Sequence, residues 1–414
     1  MILLLPWIVR GQIRSTEVIE FDDPRFSRFV LSVKPFASFE DHPRSKGWLK
    51  VIEKNLCWSG VFKLHESQNK YCHVSGNHLD LQLQMEIKKA GEVPTLLLTM
   101  ADTEGNAYFN QQVPLTQNRL KESEVMTAVN QITEKITTRP GILGSTIAFT
   151  FKQPGYEKVI ARINTHGQDL QAISHNQFIS ISPKWNAVGS RIVYTVVSSK
   201  GTSVIYDDLQ GKTTPLIRHK GGNTGGTWSR DGDFIIVSFT RKGNTDLYQI
   251  DLKTRKLKRL TSHHKIDGSP SLSPDGKDLL FVSDRGGSVQ IYKMYLPTRE
   301  IVRLTYTGSR NTDPIWSPDG SLVAFTKQIG GRDQIYVMDM FGENVRAITR
   351  GPYASEQPAW SPDGRQIIFS QKRGRDFKLH LVFLDGEGLR RLTNGESSPA
   401  GFEEKSPSWS LRRF

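Results

Sequence analysis

From about residue 145 onward, apolar positions come in short runs rich in Val, Ile, Phe and Tyr, such as Phe234-Ile235-Ile236-Val237, Leu279-Leu280-Phe281-Val282 and Leu322-Val323-Ala324-Phe325. Runs this short, alternating or continuously apolar between turn residues, predict buried or half-buried β-strands. A turn pentapeptide precedes each: Trp228-Ser229-Arg230-Asp231-Gly232, Leu272-Ser273-Pro274-Asp275-Gly276, Trp316-Ser317-Pro318-Asp319-Gly320 and Trp360-Ser361-Pro362-Asp363-Gly364, with a worn copy at Trp185. The starts 228, 272, 316 and 360 are one fixed step apart. Pro presets φ in such a turn and Gly permits φ > 0. A second turn follows each strand, at Lys242-Gly243-Asn244, Arg285-Gly286-Gly287, Gly330-Gly331 and Arg373-Gly374.

Two further columns keep the same step. One is Tyr248, Tyr292, Tyr336 and His380; the other is Leu260-Thr261, Leu304-Thr305, Ile348-Thr349 and Leu392-Thr393. A repeat of about 40–45 residues with four short strands per unit is the sequence pattern of a β-propeller. Units begin near Trp185, Trp228, Leu272, Trp316 and Trp360, and a sixth begins at Trp409-Ser410. The remaining strands of that sixth unit are found at Ser145–Phe151, Lys158–Asn164 and Leu170–Ile173. The expectation is a six-bladed ring over 141–414, closed by Pro407–Leu411 pairing with its first strands, which removes exposed sheet edges.

The N-terminal pattern is different. Phe29–Phe36 reads as a buried strand, and Leu79–Ile87, Pro94–Thr99 and Tyr108–Val113 as further strands. Lys46–Asn55 has helical spacing, with Trp48, Val51, Ile52 and Leu56 on one side. Ser123–Ile136 repeats Val125, Val129, Ile132 and Ile136 along an amphipathic helix face. Arg139-Pro140-Gly141 ends that helix and marks the boundary. Residues 16–140 are therefore expected to form an α/β N-terminal domain with an N-terminal arm, ahead of an all-β six-bladed β-propeller.

Charge is unevenly divided. The chain carries 55 Lys+Arg and 42 Asp+Glu, net +13, and almost all of the excess lies after residue 140. A basic propeller attracts an acidic protein, nucleic acid or anionic lipid. No aromatic-spaced basic stripe of the kind that binds single strands is present, so nucleic acid is not an expected partner. No run approaches the ~18 apolar residues of a membrane span. Cys57 and Cys72 read equally well as a disulfide in an oxidising compartment and as two buried thiols. Residues 1–15 contain an apolar run ending at Arg10 that is like the tail of a secretory signal, though no basic residue precedes it and no Ala-x-Ala site follows.

The order of these parts resembles the TolB family. Ser32-Val33-Lys34-Pro35-Phe36 is similar to its first strand, and Asn55-Leu56-Cys57-Trp58-Ser59-Gly60-Val61-Phe62 to the end of its helix. Ile132–Ile136 through Gly141-Ile142-Leu143 and Ile147-Ala148-Phe149 is similar to its domain junction, and Asn311-Thr312-Asp313-Pro314 to a loop before a blade. The resemblance implies a monomeric, non-enzymatic periplasmic adaptor of the Tol–Pal system, with no cofactor. It implies binding of a Pal-like lipoprotein at one propeller mouth and of a TolA-like inner-membrane protein through an N-terminal arm, Gln12–Phe26. In that arm Glu17, Glu20, Asp22, Asp23 and Phe26 are the candidate contacts, suited to adding a strand to a partner sheet.

At the mouth, the loops joining one blade to the next open on a single face. Their polar residues Asn223, Thr224, His264, Asp267, Asn311, Thr312, Asp313 and Glu356 are the candidate contacts. Two rivals follow from the same fold. One is a propeller scaffold with another partner. The other is a hydrolase or lactonase, for which Asp267, Asp313 and Glu356 from successive blades are the carboxylates that would hold a channel cation. A peptidase reading would need a Gly-x-Ser-x-Gly elbow, and the chain has none.

Overall fold

The computed structural model describes residues 28–410, apart from 36–39, 41–42, 66, 68–71, 75–78, 91–92, 117–118, 175–177, 220–222, 394–397 and 399. Two layers precede the ring. A six-stranded sheet runs in the order His73–Val74, Phe62–His65, Phe29–Pro35, Leu81–Ala90, Val93–Ala101, Ala107–Pro114. Phe29–Pro35 pairs in parallel with both of its neighbours, His73–Val74 pairs in parallel with Phe62–His65, and Leu81–Ala90, Val93–Ala101 and Ala107–Pro114 form an antiparallel meander. Helices Ser45–Trp58 and Glu122–Thr137 pack together with this sheet. They bury Trp48, Ile52 and Leu56 from the first helix and Val125, Val129 and Ile132 from the second, the face that the 3.6-residue spacing predicts. Glu122 and Glu124 at the start of the second helix and Lys135 near its end match the helix dipole.

Cys57 and Cys72 form a disulfide with a Cα–Cα distance of 5.7 Å. It ties the end of the first helix to the edge of the sheet, and closing a loop of this length contributes about 3 kcal/mol in the chain-entropy model.

Residues 146–410 form six four-stranded antiparallel sheets. In the closing blade the innermost strand, Glu403–Ser410, pairs with Thr146–Lys152, followed by Val159–Asn164 and Gln171–Ala172. The next five blades take their innermost strands from Ile179–Trp185, Asn223–Trp228, Asp267–Leu272, Asn311–Trp316 and Ser355–Trp360. Six apolar clusters lie between consecutive sheets. The cluster joining Ile368, Leu379 and Leu381 to Ile147, Phe149 and Ile163 seals the ring. Phe281, Phe325 and Phe369, one step apart, are fully buried in these seams, each contributing roughly 1.5–3 kcal/mol.

The motif residues are turn and seam chemistry. In all four full copies the serine hydroxyl donates to the aspartate two residues on, at 2.6, 2.6, 2.7 and 2.6 Å. The same carboxylate oxygen accepts a backbone N–H two residues further on. The following glycine has φ between +74° and +77°. Trp228 and Trp360 donate their indole N–H to the Lys184 and Ile315 carbonyls of the preceding blade's innermost strand, at 3.0 and 3.1 Å. In the threonine column, Thr261, Thr305 and Thr349 accept the N–H of Leu247, Ile291 and Ile335 where the short outer strand has ended.

Candidate functional site

A propeller has two faces, and here they differ. The Ser-x-Asp-Gly turns and the turns between third and fourth strands share one face, and the N-terminal layer sits on it. Arg28, its side chain 2% exposed, bonds Asp385 at 2.9 Å and Glu387 at 2.8 Å and lies over the Phe383 ring. Lys63 also pairs with Glu387, and Arg139 with Asp319 at 3.0 Å. Gln366 donates to the Trp58 carbonyl at 2.9 Å. His166 Nε2 lies 2.9 Å from Asn55 Oδ1. The Asn55 amide nitrogen already donates to the Val51 carbonyl, so the oxygen is the accepting atom and Nε2 carries the proton.

The opposite face carries the turns between second and third strands and the crossovers from blade to blade. Among the described residues it is the free mouth, since the N-terminal layer's ion pairs with the propeller all go to the other face. Asn223, Asp267 and Asn311 are the first residues of innermost strands, with Thr224, Thr312, Asp313 and Glu356 just behind them. Of the mouth candidates, only His264 lies in a crossover, exposed, with its ring 4.3 Å from that of His263. Sequence reasoning placed the others in loops; the backbone ladder of each innermost strand starts early enough to include them. Asp267, fully buried, receives two bonds from Arg285 at 2.8 and 2.9 Å. Asn311, also fully buried, donates to Gln290 Oε1 and the Thr307 carbonyl. These two residues brace the mouth from inside and present no surface to a partner. Thr312 and Glu356 keep partial exposure at the channel entrance, where Lys405 pairs with Glu356 at 2.7 Å. The candidates Glu17, Glu20, Asp22, Asp23 and Phe26 lie outside the described residues.

Every innermost strand carries a bulge at the same level. Ser182, Ser269, Asp313, Gln357 and Ser406 there have φ between +50° and +59° and face a channel cavity of about 120 Å³. A proline follows each of them. That volume holds about four waters and falls well below the ~300–1,000 Å³ of a small-molecule site. Asp313 is enclosed by the channel walls; burial raises its carboxyl pKa against the pull of Thr312, Thr326 and Lys184. Burial lowers Lys184, and Asp313 opposes the change. Two of the three carboxylates that a channel cation would need are already paired with a cation of the protein, Asp267 with Arg285 and Glu356 with Lys405, and Asp313 accepts from the Thr312 hydroxyl at 2.9 Å. Among the described residues, no three His, Cys, Asp or Glu side chains are grouped to hold a metal.

A larger cleft of about 870 Å³ lies between the second helix and the closing blade, lined by residues such as Asn130, Glu134, Arg162 and Asp169, without a histidine, cysteine or tyrosine. No described helix is long and apolar enough to cross a membrane.

Comparison with known proteins agrees with this architecture. The family described as the TolB beta propeller domain matches residues 133–413. The chain is 31% identical over 171 residues to the protein TolB homolog of Chlorobium chlorochromatii, covering 41% of this chain and 38% of that one. It is 31% identical over 131 residues to the Tol-Pal system protein TolB of Desulfosudis oleivorans, covering 32% and 30%. The matched stretches thus span only about a third of the curated relatives' length. The crystal structure of TolB from Acinetobacter baumannii superposes with a TM-score of 0.74 at 24% identity, over 93% of this chain and 97% of that one.

Proposed function

The chain belongs to the TolB beta propeller family, and from that premise we propose that it is a non-enzymatic periplasmic adaptor of the Tol–Pal system. It binds a Pal-like outer-membrane lipoprotein at the free mouth, and a TolA-like inner-membrane protein through the arm Gln12–Phe26. The observation that carries this reading is the division of labour between the two faces. One is occupied by the chain's own N-terminal layer through Arg28, Arg139 and Gln366. The other, among the described residues, leaves a ring of blade-to-blade crossovers open around a channel cavity of about 120 Å³. The Cys57–Cys72 disulfide suits an oxidising compartment and supports export.

At the mouth, His264, Thr312 and Glu356 are the proposed contacts, together with Asn223 and Thr224; Asp267, Asn311 and Asp313 set the shape beneath them. The test is calorimetric titration of the full chain with the soluble domain of the cognate Pal-like lipoprotein. Saturable 1:1 binding, lost in Thr312→Trp and Glu356→Trp variants that melt like the parent, is the expected result. No heat at high concentration would move the function to another partner. Deleting residues 12–26 is expected to abolish capture of the TolA-like domain while leaving the lipoprotein bound.

A further inference from the structure

The mouth and the opposite face differ in charge. In the described connections on the mouth face, Lys and Arg outnumber Asp and Glu by eight to two, the two acids being Glu157 and Asp284. On the opposite face the same count is nine to ten. Among the described connections, the excess of positive charge therefore lies on the mouth face and not on the opposite one.

Ion pairing sharpens the difference. The carboxylates nearest the entrance are consumed internally: Asp267 by Arg285, Asp333 by Arg310 at 2.7 Å, Glu356 by Lys405 and Glu403 by Lys158. Apart from Glu157, what remains exposed on the described mouth connections is cationic. Lys200, Lys242, Lys265, Arg332, Arg350 and Arg375 are exposed and distributed over successive blades. All but Lys265, which reaches Asp284 only at 3.9 Å, make no ion pair among the described residues. Between them stand exposed apolar side chains: Tyr306 at 70%, Ile266 at 60% and Tyr353 at 42%.

We propose that the mouth is a cationic docking ring for an acidic protein surface, steered by these lysines and arginines and anchored on Tyr306, Tyr353 and Ile266. This deepens the adaptor reading and rests on it. Tyr and Arg are the residues that protein interfaces enrich, and hot spots form where such anchors are ringed by polar groups. Two observations favour protein over other polyanions. The Arg373 guanidinium lies 3.8 Å from the Tyr353 ring centroid and that of Arg303 4.9 Å from Tyr306, so one face of each ring is already taken by a cation and is closed to base stacking. The apolar side chains are also set singly around a channel instead of forming the continuous apolar face that enters a bilayer.

The experiment measures association of the full chain with the soluble domain of the cognate Pal-like lipoprotein at 50 and 300 mM NaCl. It uses the parent, a mouth variant (Lys242→Glu, Arg332→Glu, Arg350→Glu, Arg375→Glu) and a control reversed on the other face (Lys212→Glu, Lys253→Glu, Lys256→Glu, Lys277→Glu). Steered association predicts that salt slows the parent's on-rate about tenfold or more, that the mouth variant loses a similar factor at low salt, and that the control stays within about threefold. Equal losses in both variants would reduce the effect to net charge and overturn the proposal. Binding that ignores salt and both sets of reversals would overturn it while leaving the adaptor reading intact. Absence of binding in the parent would overturn both. Co-sedimentation of the parent, but not the mouth variant, with phosphatidylglycerol vesicles, alongside unchanged lipoprotein binding, would reassign the ring to lipid.

Discussion

The Ser-x-Asp-Gly turn occurs in four full copies with the same hydrogen bonds but in two environments. Asp231 and Asp275 face solvent, and their serine hydroxyls hold their carboxyls below the ordinary range. Asp363 lies under the N-terminal layer, where Arg139 reaches its carbonyl, and burial raises its carboxyl despite the same serine bond. Identical local sequence thus yields opposite electrostatics, decided by what packs above it. The repeat specifies the blade; single substitutions within it specify which blades are docked and which are free.

The sharpest such substitution is Phe383. The residues one, two and three steps before it are Asp339, Tyr295 and Asp251, yet Phe383 is 1% exposed and joins the core of the N-terminal layer. Phe383→Ala is expected to cost about 3–5 kcal/mol in urea denaturation, since it opens a cavity where two cores meet. Asp339→Ala, in the same column of the preceding blade, removes turn bonds from the N–H groups of Phe341 and Glu343 and from the exposed Asn344 side-chain amide and should cost about 1 kcal/mol. Equal losses would mean that Phe383 contributes nothing beyond its place in the repeat.

Acid should probe the docked face and the blades separately. His166 and His380 both have pKa values held down to about 4, chiefly by burial. His166 packs on Trp58 at the junction, among Lys54, Glu122 and Arg390; His380 stacks on Phe369 inside a blade, where the repeat elsewhere has tyrosine. Above pH 6.5 both folded and unfolded imidazoles are neutral and stability is unaffected. Between about 6.5 and 4 only the unfolded chain takes the proton, so each histidine removes about 1.4 kcal/mol per pH unit as pH falls. By pH 5 this is roughly 2 kcal/mol apiece. His380→Tyr should flatten the slope belonging to the blade, and His166→Asn the slope belonging to the junction. A variant whose slope between pH 7 and 5 matched the parent's would remove that histidine from the account.

Much of this was legible in the sequence, for a physical reason. A strict period exposes turns, strands and seams together, so the six blades, the two amphipathic helices and the closing strand, read at Pro407–Leu411 and found at Glu403–Ser410, follow from spacing. The short strands Phe62–His65 and His73–Val74 carry too few residues to show alternation. The mouth was harder. Asp267 and Asn311 sit before the turn motif, where a polar residue reads the same whether it contacts a partner or a neighbouring strand. Only the positions of Arg285 and Gln290 reveal that both are internal braces. The docked face did leave a trace, an apolar outlier at Phe383 in a column of Asp and Tyr, which a column-by-column comparison of the blades exposes.

The finest test of the two environments is the same conservative change at Asp363 and Asp275. Asparagine keeps an oxygen for the serine hydroxyl and the backbone N–H but abolishes the charge. At Asp275 the folded state favours the ionised form, so stability gained from ionisation is present above the unfolded pKa and fades as pH falls through the lower folded value. Asp275→Asn should therefore cost about 0.5–1 kcal/mol at pH 7, as expected for loss of a charge-assisted turn bond. At Asp363 the folded state disfavours the ionised form, so the carboxylate subtracts stability at pH 7 and the subtraction vanishes in acid. Asp363→Asn should be neutral or stabilising at pH 7, with its advantage shrinking toward pH 4. Opposite signs in matched urea melts would establish that docking of the N-terminal layer, and not the turn itself, sets the electrostatics of the motif. A loss at Asp363 as large as that at Asp275 would show instead that the serine bond dominates wherever the turn is placed.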